Sequence, residues 1–398
     1  SCASILKLMS SKGLPPLTGI KVLEFAGLAP VPFCGKILCD FGAEVIRVDR
    51  ATDSWLSDNL AAGKRSITLD ISHEPDLTVL KELVKQSDVL LDPYRPGVLS
   101  RKGLNDEFLH ELNSRLIIAH LTGWGLTGPM AKVAGHDMNY LSLTGVLASI
   151  GRAGHKAPIF PQNLIADFAG GALTCALGVV MSLYRRNVTG KGEVIDCSML
   201  DGAIYLSSFI FHSYNTGMVT DERGTSLLDT GAFFYEIYRC KDGKYLCVGC
   251  LEPQFFHSFL EVLKANSESH LVAFFDERTY MDKETWPVLK KALKQIFLTK
   301  SRDEWVALFN DMDNCVTPVL EFKEATQHPQ NIARHNFISS NPIVPAPAPK
   351  LKNSPARLIT DSSYVKPGSH TLEILKELQI PAAIAEAVLA RQQPQAKL

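Results

Sequence analysis

Two side chains that can exchange protons, His136 and Asp167, lie in one stretch, residues 134–171. His136 precedes an amphipathic run and is expected at or near the start of a helix. Asp167 precedes a long apolar run and is expected to cap a second helix. The unpaired N–H groups at two helix N-termini suit an anion such as an enolate oxygen. Residue type and spacing leave two interpretations open: an acid–base pair, or a helix cap and a half-buried structural histidine.

The elements that must position these residues follow a regular alternation of strands and helices. Their spacing predicts an α/β fold with a Rossmann-like, open and mostly parallel sheet that binds ligands at the carboxyl ends of its strands. The first turn, Phe25-Ala-Gly-Leu-Ala-Pro, lacks the GxGxxG pattern of dinucleotide-binding folds, which argues against NAD. The predicted strands are 20–25, 43–49, 66–71, 88–92, 116–121 and 193–196.

The length of 398 residues exceeds the usual size of a single core, so two domains are expected. A hairpin pattern at 231–249, followed by helical patterns, predicts a smaller α+β domain. The predicted order is an N-terminal extension (1–16), the first part of a large Rossmann-like domain (17–200), a linker helix (201–229), the small domain (230–330) and a return to the large domain with C-terminal helices and tail (331–398).

Basic residues are expected to form a local cluster. The formal net charge is −1, so the chain as a whole has no field that would favour nucleic acid, and no nucleic-acid partner is expected. Six basic residues flank the predicted strands near one rim of the sheet, which favours a phosphate-rich ligand over six unrelated surface charges. They are Arg47, Arg50, Lys64, Arg65, Arg95 and Arg101.

The cysteines and the longest apolar run indicate neither a metal site nor a membrane span. Nine cysteines, an odd number in a large chain, indicate reduced thiols in an intracellular compartment. The pair Cys247-Val-Gly-Cys250 has no second such pair and no neighbouring histidine, so strand thiols are favoured over a zinc or redox site. The apolar run 168–184 is marginal in length for a membrane span and contains glycines that suit a buried core helix.

Blocks of sequence along about nine tenths of the chain carry a resemblance to a known family. They begin with GIKVLEFAGLAPVPFCGKILCDFGAEVIRVDR, GKRSITLD and SDVLLDPYRPGV, and they continue with LTGWGLTGP, AGHDMNY, NLIADFAGG, GKGEVIDCSMLDG and LEPQFF. From residue 17 to about residue 378 the chain resembles the family III CoA-transferase superfamily and, within it, most closely the 2-methylacyl-CoA racemases. So many collinear blocks make the resemblance specific at family level.

The resemblance implies a fold, an assembly and a reaction. The fold is that of an interlocked homodimer, with each active site between the large domain of one subunit and the small domain of its partner. The reaction is that of an isomerase, which interconverts (R)- and (S)-2-methylacyl-CoA thioesters by 1,1-proton transfer through an enolate. Its setting is the metabolism of branched-chain fatty acids, with bile acid intermediates as a further expectation. No cofactor is expected, because CoA is part of the acyl-CoA substrate.

Five residues match the catalytic positions of the racemases. By analogy, His136 serves the face of the S-substrate and Asp167 that of the R-substrate, and each works as acid and as base. Glu252 matches the residue that orients the histidine from the other subunit, and Asn163 matches the residue that supports the aspartate. The backbone N–H of Asp137 matches the donor to the enolate oxygen.

A larger set of residues matches the CoA-binding positions. Arg50, Arg95 and Arg101 are expected to hold the phosphates. Ser72 stands where relatives often place lysine, which puts one expected cationic contact in doubt. With Ser72, the segment expected along the adenine comprises Leu69, Asp70 and Ile71, and the other expected residues are Tyr94, Gly135, Met138, Asn139 and Tyr140. Met199, Leu206, Phe209 and Met218 are candidates for an apolar acyl surface, although an ordinary core role is favoured for these four.

Two rival functions are open at this point. In a CoA-transferase on the same fold, the aspartate at the position of Asp167 is a nucleophile that forms covalent intermediates. His136, where transferases lack a histidine, and TGAFFY at 230–235, in place of their run of glycines, favour the racemase. A non-catalytic acyl-CoA-binding protein is disfavoured because His136, Asp167, Asn163 and Glu252 are all present.

The tripeptide Ala396-Lys397-Leu398 matches a relaxed form of the Ser-Lys-Leu peroxisomal address. It predicts a peroxisomal location, reached through the import receptor for that address. A mitochondrial pool is the alternative location.

Overall fold

The chain folds into two units, each built from separate stretches of sequence. The computed structural model describes residues 13–50, 59–154, 157–267, 269–310, 312–361 and 364–392. The first unit comprises Ser1–Thr144, Pro161–Leu206 and Gln330–Leu398, and the second comprises Gly145–Phe160 and Ser207–Pro329. Most of the predicted extension 1–16 and the tripeptide 396–398 lie outside the described residues.

A six-stranded sheet forms the centre of the first unit. Its strands are β1 (Lys21–Phe25), β2 (Glu44–Asp49), β3 (Arg65–Thr68), β4 (Val89–Asp92), β5 (Ile117–Thr122) and β6 (Glu193–Ser198). They are all parallel and lie in the order β3-β2-β1-β4-β5-β6, so the predicted α/β sheet is confirmed. Every residue of β4 and β5 is buried, as expected of strands covered on both faces. The order reverses between β1 and β4, which creates a topological switch point at their carboxyl ends.

Helices of the first unit pack on this sheet and close its core. In chain order through both units, the α-helices are α1 (Pro30–Asp40), α2 (Glu74–Gln86), α3 (Asp106–Leu112), α4 (Asp137–Ser142), α5 (Val146–Ser149), α6 (Thr174–Thr189), α7 (Met199–Leu206), α8 (Ser208–Asn215), α9 (Pro253–Asn266), α10 (Trp286–Phe297), α11 (Arg302–Phe309), α12 (Phe322–Gln327), α13 (Pro329–Ala333), α14 (Thr371–Glu377) and α15 (Ala382–Gln392). Ile374, Leu375 and Val388 from the C-terminal helices are buried in the same apolar cluster as Leu23 of β1 and Leu90 of β4. The C-terminal segment therefore returns to the first unit.

A π-helix, Leu164–Leu173, carries Asp167 and continues directly into α6. Two glycines let it pack closely against α7. A Cβ atom on Gly170 would lie 2.6 Å from the backbone nitrogen of Ala203, and one on Gly202 would lie 1.8 Å from the carbonyl oxygen of Gly170. Any larger residue would push the two helices apart, so this contact fixes the depth of the π-helix in the unit.

The continuous helical segment Leu164–Thr189 is half-buried rather than a fully buried core helix. Among the described residues it is the one helix long and apolar enough to cross a membrane on length and composition alone. Core helices pass the same test, and 44% of its most apolar window is buried. Its outer face exposes a stripe of large apolar side chains: Leu173, Leu177, Val180, Met181, Tyr184 and Val188.

The second unit contains an antiparallel sheet and an aromatic core. Its strands are β7 (Tyr235–Arg239), β8 (Tyr245–Gly249) and β9 (Val316–Pro318), and the first two form the predicted hairpin. Short pairs at Phe337–Ile338 and Val344–Pro345, in the first unit, complete the strands of the described residues. Aromatic side chains dominate the buried core of the second unit: Phe233, Phe234, Tyr238, Phe256, Phe259, Trp286, Phe297 and Trp305.

The second unit also includes residues 145–160, which the sequence analysis placed in the large domain. Polar contacts within the unit account for this placement. Arg152 forms an ion pair of 2.6 Å with the buried carboxylate of Glu236, and Arg223 donates to the carbonyl oxygen of Ala148 at 2.6 Å. Helical periodicity carries no information about such long-range contacts, so the pattern did not reveal them.

Candidate active site

A cleft of about 720 Å³ lies in the first unit at the carboxyl edge of the sheet. Residues that follow β1, β4 and β5 line it, which places the cleft at the switch point where α/β folds bind ligands. Nine of its lining residues are basic, aromatic or close in sequence to His136 or α7: Arg50, Tyr94, Arg95, Trp124, Gly135, His136, Asn139, Tyr140 and Met199.

His136 is exposed to this cleft and directly precedes α4, so the predicted helix start is confirmed. Its backbone is extended, with φ −130° and ψ 173°, as is usual for the residue before a helix. The side chain of Asn139, one turn into the helix, accepts the N–H of His136 at 3.1 Å. This hydrogen bond fixes the backbone of His136, whose imidazole lines the cleft.

Asp167 lies inside the π-helix, so the prediction that it caps a helix is wrong. The helix begins at Leu164, and Asn163 is the residue before it. The sequence suggested a later start because Asp167 interrupts the apolar residues, and Leu164, Ile165 and Ala166 before it belong to the same helix. Asn163 Nδ2 donates to Asp167 Oδ2 at 2.8 Å, as expected for a residue that supports the aspartate.

The carboxyl of Asp167 is only 7% exposed, and this burial is the main cause that raises its pKa to about 6. The hydrogen bond from Asn163 opposes the rise, the negative charge of Asp137 adds to it, and His136 again opposes it. A carboxyl with this pKa is present in both protonation states near neutral pH. It can therefore act as an acid and as a base.

The side chain of Asp137 connects the segment of His136 to the segment of Asp167. Asp137 is the first residue of α4, and its carboxylate oxygen Oδ2 accepts the N–H groups of Ala166 at 2.8 Å and Asp167 at 2.9 Å. These N–H groups belong to the first turn of the π-helix, where a helix offers them no internal partner. Asp137 thus caps the helix of Asp167 from the helix that follows His136.

Tyr140 lines the cleft and is held in place by two contacts. Its hydroxyl donates to the carbonyl oxygen of Gly135, and its ring packs edge-on against Trp124 with centroids 4.8 Å apart. A Cβ atom on Gly135 would lie 2.7 Å from the Tyr140 ring, so only glycine fits there. Burial raises the pKa of Tyr140 to about 12, which keeps the phenol protonated as a hydrogen-bond donor.

Three of the six basic residues predicted at the rim have structural partners instead. Arg47 is buried and pairs with Asp49 at 2.8 Å, and Lys64 is fully buried and pairs with Glu24 at 2.8 Å. Arg65 lies at the amino end of β3 and pairs with three carboxylates, those of Glu44, Glu373 and Glu377. Asp49 lies two residues after Arg47, but the partners of Lys64 and Arg65 come from distant parts of the chain. The number of basic residues near strand ends therefore overestimated how many are available to bind phosphate.

The other three basic residues are divided between the cleft and a neighbouring depression. Arg50 and Arg95 line the cleft, and the Arg50 guanidinium lies 5.5 Å from the ring centre of Tyr94. Arg101 lines a separate, shallow depression together with Lys132. The predicted residue Met138 is 47% exposed and lies next to the lining residue Asn139. Of the acyl candidates, Met199 lines the cleft, while Leu206, Phe209 and Met218 are exposed.

A second pocket of about 330 Å³ adjoins the cleft, because Asp49, Arg50 and Tyr94 line both. The segment predicted along the adenine lines this pocket at all four positions: Leu69, Asp70, Ile71 and Ser72. Lys102 also lines it, and the sequence analysis missed this residue. Its position directly after Arg101 in a basic pair was the available signal.

His120 of β5 holds the loop that carries Tyr94 and Arg95 into the cleft. Its ring nitrogens lie 2.9 Å from Asp92 Oδ2 and 3.0 Å from Asp106 Oδ1, and Asp92 Oδ1 accepts the N–H of Tyr94 at 2.8 Å. Burial favours the neutral ring, but the hydrogen bonds to Asp106 and Asp92 outweigh it and raise the pKa of His120 to about 9.

The ion pairs of His120 with Asp92 and Asp106 lead to a prediction about the pH dependence of stability. Because the pKa of His120 is raised, its contribution to stability is complete below about pH 6.5 and is lost as the pH rises through about 9. The contribution is on the order of 3 kcal/mol. Urea denaturation at pH 6.5 and 9.5 should show that His120→Gln loses less stability over this interval than the native protein does. Equal losses in the two proteins would contradict the charged state of His120.

Glu252 belongs to the second unit and is exposed at the N-terminus of α9.

The cysteines of the described residues are free thiols, and Cys250 donates to the carbonyl oxygen of Asn314 at 2.7 Å. Among the described residues, one group could supply metal ligands, namely His257, Glu261 and Glu277. All three are exposed, and His257 pairs with Glu277 at 2.9 Å, as surface charges commonly do.

Comparison with known proteins decides the family. The model of CoA-transferase family III matches residues 17–363. The chain belongs to this family. The match includes His136, Asp167, the cleft and the adjoining pocket, so the family resemblance of the sequence blocks is confirmed.

Three relatives illustrate this membership. The chain is 45% identical over 364 residues to the alpha-methylacyl-CoA racemase of Homo sapiens, with 91% of this chain and 93% of that protein covered. It is 44% identical over 365 residues to the alpha-methylacyl-CoA racemase of Mus musculus, with the same coverage. A crystal structure of a CAIB/BAIF family protein from Brucella suis matches with a TM-score of 0.78 over 92% of this chain and 100% of that chain, at 23% identity. The last match shows the fold.

Proposed function

We propose that this protein is an isomerase that interconverts (R)- and (S)-2-methylacyl-CoA thioesters by proton transfer at C2. One observation carries the proposal: the carboxylate of Asp137 ties the helix that follows His136 to the helix that holds Asp167. The segments that carry an imidazole and a carboxyl group are thereby fixed to each other. The similarity to racemases of human and mouse over nine tenths of the chain supports the substrate class.

The reaction removes one proton from C2 and adds another proton to the opposite face of the same carbon. From the S-enantiomer, His136 takes the proton of C2 and protonated Asp167 delivers a proton to the opposite face. From the R-enantiomer, Asp167 is the base and protonated His136 is the acid. Since each residue must serve in both roles, the pKa of about 6 at Asp167 suits the reaction. Asn163 holds the carboxyl in place through its hydrogen bond of 2.8 Å.

The intermediate is a planar enolate, whose oxygen needs a donor. Asp137 is the first residue of α4, and the first N–H groups of a helix have no acceptor within it. Its backbone N–H therefore suits the enolate oxygen, and the positive end of the helix dipole favours the developing charge. Glu252 of the partner subunit is proposed to orient the imidazole of His136.

The CoA moiety is proposed to occupy the cleft and the adjoining pocket. Arg50 and Arg95 supply the cations for the diphosphate, with Arg101 at the neighbouring depression, and the adenine lies along Leu69–Ser72. Tyr94, Asn139 and Tyr140 shape the cleft between these two regions. No cofactor is proposed, because proton transfer at a thioester requires only an acid and a base.

A CoA-transferase with Asp167 as its nucleophile is the second candidate, because the family as a whole bears that name. The segment 230–235 favours the racemase. Phe233 and Phe234 are completely buried among aromatic side chains of the second unit, so this segment is part of a core and not a mobile glycine lid. A lid that must move during transfer would not be anchored by two buried rings.

One assay separates the two candidates. A single enantiomer of a 2-methylacyl-CoA, incubated in deuterium oxide without any acceptor acid, should racemise and acquire deuterium at C2. A transferase would leave this substrate unchanged until a second carboxylic acid is added. The stereochemistry is followed by chiral chromatography after hydrolysis, and the deuterium by mass spectrometry.

A homodimer is proposed as the active assembly, with the two subunits interlocked as the family resemblance implies. The exposed apolar stripe on the helix Leu164–Thr189 supports it, because an uncovered apolar face of this kind marks an interaction surface. Multi-angle light scattering should give twice the mass of one chain. A mass of one chain at assay concentration would contradict the assembly.

A peroxisomal location is proposed, with a role in branched-chain fatty acid and bile acid intermediate metabolism. The tripeptide 396–398 supports the address, although it lies outside the described residues. Fusion of residues 389–398 to a fluorescent protein should send it to peroxisomes. A mitochondrial or diffuse signal for that fusion would contradict this location.

A further inference from the structure

Lys102 and Ser72 form a pair of hydrogen-bond donors in the pocket that adjoins the cleft. Lys102 Nζ donates to Ser72 Oγ at 2.8 Å, and both residues line the pocket. They come from different segments: Ser72 follows β3, while Lys102 ends the 3₁₀ turn Ser100–Lys102 after β4. Lys102 therefore places a positive charge beside Ser72, whose own side chain is an uncharged hydroxyl.

The backbone on both sides of this pair is fixed by hydrogen bonds of its own. On the first side, Asp70 donates its N–H to Asp76 Oδ2 at 2.7 Å, and Ser72 donates its N–H to Asp70 Oδ1 at 3.0 Å. On the second side, Lys102 donates its N–H to the carbonyl oxygen of Leu99 at 2.8 Å. These hydrogen bonds fix both segments, so the two side chains are already positioned before a ligand binds.

The donor capacity of the pair matches a phosphate monoester. An ammonium group has three N–H donors, and the bond to Ser72 uses one of them. Ser72 Oγ accepts this bond, and its O–H, which also contacts the Asp70 carboxylate, can rotate toward a phosphate oxygen. A phosphate monoester offers three acceptor oxygens and close to two negative charges, so a lysine and a hydroxyl suit it together.

The rest of the pocket determines which phosphate this is. Leu69, Ile71 and Val98 supply an apolar wall, as a purine ring requires, and Arg50 lies at the junction with the cleft. We infer that Lys102 and Ser72 bind the 3′-phosphate of CoA, while the diphosphate lies toward Arg50 and the acyl thioester toward His136. This inference rests on the proposed acyl-CoA substrate and adds a specificity-determining residue to it.

Asp70 makes the lysine necessary. Its carboxylate is about half exposed in the same pocket, and the N–H of Ser72 is the largest cause that lowers the pKa of Asp70, with Lys102 contributing. The group is thus negative and would repel a phosphate. The positive charge of Lys102 offsets this repulsion, so loss of Lys102 should leave the pocket unfavourable to a 3′-phosphate.

The test compares CoA with 3′-dephospho-CoA, two ligands that differ only in this group. Isothermal titration calorimetry at constant ionic strength gives both dissociation constants for the native protein and for Lys102→Met, Lys102→Arg and Ser72→Ala. Lys85→Met is the matched control, because Lys85 is an exposed lysine of the first unit that pairs with Glu82 outside both pockets. Circular dichroism confirms that each variant is folded.

The native protein should bind CoA about tenfold to a hundredfold more tightly than 3′-dephospho-CoA. Lys102→Met should abolish this preference by weakening CoA alone, Lys102→Arg should retain most of it, and Ser72→Ala should lose part of it. Lys85→Met should behave as the native protein. A preference that survives in Lys102→Met, or an equal weakening of both ligands, would overturn the inference and assign Lys102 to Asp70 alone.

The calorimetric result is independent of the reaction. If the native protein prefers CoA through Lys102 but fails to racemise a 2-methylacyl-CoA, the phosphate contact stands and the proposed reaction fails. If it racemises the thioester but shows no dependence on Lys102, the reaction stands and the phosphate contact fails.

Discussion

His136→Ala is expected to abolish racemisation in both directions while sparing proton exchange at C2 of the R-enantiomer. Racemisation needs a proton carrier on each face of the enolate, so removing either one should reduce it by roughly 10²- to 10⁴-fold. Exchange on one face needs only one base. Asp167, supported by Asn163, remains to remove and return the proton of the R-enantiomer, whereas the S-enantiomer has lost its base.

The measurement is deuterium incorporation into each pure enantiomer in deuterium oxide, with the configuration of the recovered thioester determined alongside. Asp167→Asn is the matched variant, because asparagine keeps an oxygen that can accept from Asn163. It should show the mirror image, with exchange retained for the S-enantiomer and lost for the R-enantiomer. Equal losses from both enantiomers in either variant would show that the assignment of faces is wrong.

Local pattern was sufficient to predict the sheet and the position of His136. The strands β4 and β5 are short apolar runs bounded by turn residues, and the helix after His136 begins where its apolar spacing begins. These features depend on residues that are close together in sequence. The cleft at the carboxyl ends of the strands then follows from the parallel order.

Features that depend on distant partners could not be predicted in this way. Asp167 was expected to cap a helix, yet the cap of its helix is the side chain of Asp137, which is far away in sequence and close only in the fold. Lys64 was expected at a phosphate site, but its partner is Glu24 of β1. In both cases burial decided the role of a charged residue, and burial is a property of the whole unit.

Asp137→Asn is expected to move the acid limb of the pH profile of kcat/KM to lower pH. The carboxylate of Asp137 is 1% exposed, and its negative charge is one of the causes that raise the pKa of Asp167. Asparagine keeps an oxygen that can accept the N–H groups of Ala166 and Asp167, but it removes the charge. The pKa of Asp167 should therefore fall, so its carboxylate stays ionised down to a lower pH.

The same change should lower kcat/KM at its pH maximum equally in both directions. A carboxyl with a lower pKa is a weaker base toward the R-enantiomer, and the equilibrium between the enantiomers, which no enzyme alters, requires the opposite direction to slow to the same extent. The measurement is kcat/KM for each enantiomer between pH 4.5 and 9. A rate that falls without any shift of the acid limb would assign Asp137 a purely structural role.

Asp137→Ala separates the charge of this residue from its hydrogen bonds. Alanine removes the acceptor as well, which leaves the N–H groups of Ala166 and Asp167 buried without a partner, at a cost of about 1–3 kcal/mol each. It also frees the π-helix to shift relative to α4, and a displacement of about 1 Å between the two proton carriers reduces the rate on the order of 10²-fold. Asp137→Asn should therefore stay close to the native protein in stability and differ mainly in its pH profile, whereas Asp137→Ala should lose stability and rate together. If Asp137→Asn were as unstable and as slow as Asp137→Ala, the charge rather than the hydrogen bonds would hold the two helices in register, because the charge is what both variants lack.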